Sequence, residues 1–76
     1  MRKLSELKVG ERGFVKQIND ENLEQKLFEM GVTPGQLIEV ERKAPFSDPI
    51  AIVVSNFLLS VRLIDAEQIF ISKEGE

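Results

Sequence analysis

The chain has 76 residues, about half of one typical domain, so its length allows one domain and excludes a deep cleft walled by its own residues. A hydrophobic fraction of 42% and a charged fraction of 30% exclude disorder, and a net charge of −3 argues against a nucleic-acid binder or a partner of anionic membranes. With no Cys and no His, the chain has no thiolate nucleophile, no disulfide, no neutral-pH imidazole base and none of the commonest soft or borderline metal ligands.

The start, Met1-Arg2-Lys3-Leu4-Ser5-Glu6-Leu7, is basic but lacks an apolar stretch after it, which predicts no signal peptide. No apolar run approaches the ~20 residues that span a bilayer, so no membrane insertion is expected. Leu4 and Leu7, one helical turn apart, predict a short turn or 3₁₀ segment that tucks two leucines under a sheet. Gly10 and Gly13 bracket Glu11-Arg12 as a predicted turn. Residues 13–18 follow as a first strand, whose imperfect alternation at Val15 and Ile18 predicts a bulge near its end.

Asn19-Asp20 are N-cap types, Glu21 and Glu24 suit a first helical turn, and Leu23, Leu27 and Met30 fall at i, i+4 and i+7. Together they predict an amphipathic helix over about Asp20–Met30, with Gly31 as its C-cap glycine. Thr33-Pro34-Gly35 is a turn, and Leu37–Lys43 an alternating strand with Ile38 and Val40 on one face. Ala44-Pro45-Phe46-Ser47-Asp48-Pro49 breaks it. Residues 50–54 read as an interior strand, Ser55-Asn56 as a tight hairpin turn, and 57–62 as the returning strand. Residues 64–67 make one helical turn, 68–72 a last strand, and 73–76 a frayed tail. The expectation is a mainly β domain over residues 1–76 with its core in about 4–72: a small antiparallel barrel of five or six short strands with one inserted helix.

No chemistry-bearing constellation stands out. Asp20, Glu21 and Glu24 suit the helix dipole and lack the ligand spacing of a calcium loop. Ser47 and Asp48 have no base to complete a triad, and Asp48 is expected to bond locally and shape its loop. The glycines form no phosphate-binding motif, and Arg12, Arg42 and Arg62 are scattered. Phe46, the one aromatic in the proline-rich loop, could be a lid on the barrel mouth or an anchor for a partner. The candidate protein-binding residues are Pro45, Phe46, Asp48 and Met30; no catalytic residue, metal site or cofactor is expected.

The order of these pieces resembles the FeoA family of bacterial ferrous iron transport proteins. Met30-Gly31-Val32-Thr33-Pro34-Gly35 is similar to the family's Met-Gly-Leu-x-Pro-Gly, and Ala44-Pro45-Phe46-Ser47-Asp48-Pro49-Ile50 to its Ala-Pro-Leu-Gly-Asp-Pro-Ile. Leu4, Leu7, Gly10, Gly13, Val15 and Ile18 match its opening pattern, and Leu59-Ser60-Val61-Arg62, Ala66 and Ile69 its closing one. Ser47, Phe46, Val32 and Asn56 depart from the usual Gly, Leu, Leu and Gly. Ser47 suggests either that the loop needs no left-handed residue there or that its shape differs. The resemblance implies an SH3-like barrel and a cytosolic accessory to FeoB, the membrane protein that moves Fe(II) and carries a GTPase domain. An Fe(II)-binding carrier or sensor is the alternative. A related domain also ends metal-dependent repressors, but this chain has no winged-helix region. Self-association is left open.

Overall fold

The computed structural model describes residues 1–73. Its strands are β1 (Arg2–Lys3), β2 (Arg12–Ile18), β3 (Leu37–Lys43), β4 (Ile50–Val54), β5 (Phe57–Val61) and β6 (Ile69–Lys73), with helices α1 (Glu21–Glu29) and α2 (Leu63–Ala66). The strands form one antiparallel sheet in the order β1-β6-β2-β3-β4-β5. The fold is therefore mainly β with six strands, as expected. Lys73 ends β6, so the predicted frayed tail begins no earlier than residue 74, and 74–76 lie outside the described residues.

Alternation places the core. Ile38 and Val40 of β3, Ile50, Ile52 and Val54 of β4, and Ile69 and Ile71 of β6 are buried together with Leu4, Leu7, Val15 and Ile18. A 3₁₀ turn at Leu4–Glu6 delivers Leu4 and Leu7 to this core, as their spacing predicted. The bulge predicted late in β2 lies between Val15 and Gln17, where the register against β6 shifts. A second shift, between Val40 and Arg42 in β3, has no counterpart in the sequence pattern.

Helix α1 begins where its cap dictates: the Leu23 N–H donates to Asp20 Oδ1 at 3.0 Å, satisfying one of the free donors of the first turn. It ends in a Schellman motif. The Val32 N–H donates to the Leu27 carbonyl at 2.8 Å and the Gly31 N–H to the Phe28 carbonyl at 3.0 Å, with Gly31 at φ +89°. Reversal at that φ needs a residue without a Cβ penalty, which is why the helix stops at this glycine. Val32 and Leu27, joined by the motif, are both buried.

Three expectations need correction. Met30 is not on the buried stripe: it is the C-cap, 40% exposed, and Val32 takes the interior place beyond Leu27. Gly13 is not a turn residue. The turn is two residues earlier, closed by the Glu11 N–H on the Lys8 carbonyl at 3.0 Å, and Gly13 lies within β2. Strand β1 was not foreseen, because two charged residues paired through their backbones to Ile71 and Phe70 carry no hydrophobic pattern.

Candidate functional site

Between β3 and β4 the chain makes a short, heavily anchored loop. Its base is closed by the Ala44 N–H on the Pro49 carbonyl at 3.0 Å, and its interior by the Ser47 N–H on the Ala44 carbonyl at 2.8 Å. Pro45 takes the second position of the tight turn that this last bond closes over Ala44–Ser47, and the Asp48–Pro49 peptide is cis. Asp48 reaches across the molecule rather than along its own loop: its Oδ1 accepts the Leu63 N–H at 3.0 Å. That bond satisfies a free donor at the start of α2 and ties the loop to the end of β5. The expected local loop-shaping bond of Asp48 is thus replaced by a cap on a distant helical turn. Sequence could not supply that partner, 15 positions away.

Phe46 settles between its two alternatives in position. It is 97% exposed and projects from the loop; it does not cover the barrel mouth. Its backbone is left-handed, at φ 62° and ψ 21°, and Ser47 follows at φ 62°. The position usually held by glycine therefore does require a left-handed residue. Such a conformation costs an ordinary residue about 1–2 kcal/mol. Pro45 and Asp48 are exposed beside it. Met30 is elsewhere. The turn after Met30 enters β3 at Leu37 while the loop leaves it at Lys43, so the two mark opposite ends of a strand.

Among the exposed apolar residues that sequence reasoning did not single out, two lie close to these candidates. Ile64, 69% exposed, follows the Leu63 amide that Asp48 holds, and so borders the loop. Phe28, 63% exposed, lines an open groove of about 550 Å³ with Glu21, Glu24, Val32 and Pro34. Phe28 sits next to Leu27, which the helical spacing assigns to the core, and that one-residue offset from a buried stripe is the signal that marks it; Ile64 carries no such signal in the sequence.

The charges make no reactive site. The Lys8 backbone N–H, and after it the Arg2 side chain 3.1 Å away, hold the Glu11 carboxyl below the usual glutamate range. This clamp fastens β1 to the turn before β2. Asp20 serves as a helix cap. No cluster of three carboxylates suited to a metal ion occurs among the described residues. Arg12, Arg42 and Arg62 stay on separate elements, and no helix among those residues is long and apolar enough to cross a membrane.

Comparison with known proteins agrees with the order of these parts. The family model described as "FeoA domain" matches residues 2–73, from β1 to the last residue of β6. The chain belongs to the FeoA family. Among solved structures, the FeoA protein from Chlorobium tepidum has 33% identity and a TM-score of 0.89, over 97% of this chain and 71% of that one. The FeoA-like protein from Clostridium acetobutylicum has 32% identity and a TM-score of 0.85, over 100% and 93% of the two chains. A FeoA from Stenotrophomonas maltophilia, solved with zinc and described as an SH3 domain protein, shares 21% identity and a TM-score of 0.81 over 95% and 91%. Its likeness shows the SH3-like fold. Among curated proteins none matches the chain. Membership of the FeoA family links the protein to ferrous iron transport.

Proposed function

We propose that this FeoA domain is a non-catalytic, cytosolic protein-binding module. It regulates ferrous iron uptake by docking its Ala44–Pro49 loop, with Phe46 at the tip, on the cytosolic region of a FeoB-type transporter. The observation that carries the reading is Phe46 itself: a large aromatic, 97% exposed, held in a left-handed conformation. The turn fixes the backbone, but the fold gives the aromatic side chain almost no packing in return for a costly conformation. Aromatic anchors of this kind supply much of the energy of protein interfaces. The prolines on either side and the three anchoring hydrogen bonds fix the loop beforehand, so a partner orders little of it on binding. Pro45 then frames the anchor, and Asp48 holds the loop and leaves Ile64 beside it. Met30 belongs to a separate surface with Phe28.

Carriage of Fe(II) by the domain itself draws on one observation, the zinc in the Stenotrophomonas structure. The donors of this chain favour the docking reading, because carboxylates alone hold borderline metals weakly and the sequence has neither His nor Cys.

The test is Phe46→Ala. Titrating the folded variant against the cytosolic region of the transporter should show binding weakened by at least about 1–2 kcal/mol, the scale of an interface hot spot. Its melting temperature should be unchanged, because the side chain is exposed and alanine meets the same left-handed backbone as phenylalanine. Unchanged affinity would move the docking surface away from the loop.

A further inference from the structure

Strand β5 is the outermost strand of the ladder and pairs with β4 alone. Ser55 and Asn56 both have positive φ, at 50° and 67°, which makes their turn a two-residue type I′ hairpin. Val54 and Phe57 are then its first hydrogen-bonded pair, and bonded pairs alternate along an antiparallel ladder. Phe57, Leu59 and Val61 therefore direct their backbone groups at β4. Leu58 and Ser60 direct theirs outward, away from the sheet.

The two outer strands differ in how they are guarded. β1 is two residues long and both are cationic, which blunts an edge. From Phe57 to Val61, β5 has no charge, no proline and no shift of register against β4. Leu58, at its centre, is 53% exposed. A neutral, regular edge of this kind is a template for another strand.

We propose that β5 is a self-association edge, on which β5 of a second copy of this chain pairs antiparallel about a two-fold axis at Leu59. In this register Leu58 of each copy lies opposite Ser60 of the other, and the outward N–H and C=O groups of both residues are exchanged. Leu59 meets Leu59, and Phe57 meets Val61, so the flanking pairs are apolar and close. Charge selects a second copy as the occupant. Each chain carries −3 overall, yet the segment from Ser55 to Val61 is uncharged, and the first charged residue, Arg62, falls opposite Asn56. Within the paired segment no like charges face one another across the axis. One patch serves both partners, as an isologous interface requires.

The experiment follows the full chain by sedimentation and by amide hydrogen exchange from tens of micromolar to millimolar concentration. The mean mass should rise toward that of a dimer. The Leu58 and Ser60 amides should slow by at least about tenfold with concentration, while the Leu59 amide is protected throughout. Two variants separate the edge from the fold. Ser60→Pro removes an outward N–H that β4 does not use. Leu58→Lys puts a charge at the middle of the edge and carries the test if the proline variant does not fold. Each should weaken association at least about tenfold. A chain that stays monomeric throughout overturns the proposal, as does a dimer equally tight in both folded variants. So does a dimer that is lost in Phe46→Ala and kept in the β5 variants. Protection of Leu58 and Ser60 only when a transporter fragment is added would assign the edge to a different protein's strand.

Discussion

Gly13 shows how a single residue can be constrained by what lies beside it rather than by its own dihedral angles. A Cβ at this position would lie 2.3 Å from Ile71 Cγ2 and 2.6 Å from the Ser72 carbonyl oxygen. The Ile71 methyl could shift; the Ser72 oxygen belongs to the neighbouring strand and cannot move without displacing β6 from β2. Gly13→Ala should therefore destabilise by about 1–3 kcal/mol, the usual cost of forcing an extra carbon into packed structure. Urea denaturation measures it, and a midpoint equal to that of the parent would show that β6 gives way freely. The sequence marked Gly13 as special and misassigned the reason, because a glycine near another glycine suggests a turn when no neighbouring strand is visible. Phe46 was marked for a better reason. An aromatic among turn formers has no strand or helix face to occupy, and the structure leaves it in solvent.

Among the elements, α1 was the most legible. Its start, end and buried stripe each rest on local chemistry: the Asp20 cap, the Gly31 reversal and the spacing of Leu23 and Leu27. The β4–β5 hairpin was legible for the same reason, since Asn56 tolerates the positive φ its turn demands. What escaped was non-local. Strand β1 exists because β6 offers it backbone partners, and the helical turn predicted over residues 64–67 is capped by Asp48, a partner the sequence does not show. The helix also supplies a clear stability test. Leu27 is buried, and its carbonyl accepts the Val32 amide that closes the helix. Leu27→Ala leaves that backbone bond in place but opens a cavity between α1 and the sheet, and should cost about 2–5 kcal/mol. A loss below about 1 kcal/mol, read from the same urea transitions, would mean that α1 packs only loosely on the sheet.

At the scale of the molecule the issue is whether the sheet and its inserted helix unfold together. The radius of gyration is 10.9 Å, against about 11.4 Å expected for one compact domain of this length. Chain order and sheet order differ in a way that ties the ends to the middle. β6, last in sequence, lies between β1 and β2, while Lys43 Nζ donates to the Ser5 carbonyl at 3.3 Å. Removing the last strand would strip β2 of a neighbour, and removing the first would strip β6 of one, so no stretch of the described chain has a core of its own. One cluster contains Leu4 from the first turn, Leu27 from α1, Val54 from β4 and Ile71 from β6. We therefore expect a single cooperative transition. The chain has neither Trp nor Tyr, so fluorescence cannot follow it well, and methyl NMR of these four residues is the suitable probe. Their native signals should disappear with one shared midpoint in temperature or urea, as two-state unfolding requires. Loss of the Leu27 signal well before those of Val54 and Ile71 would make α1 a separate, weaker unit docked on an independently stable sheet.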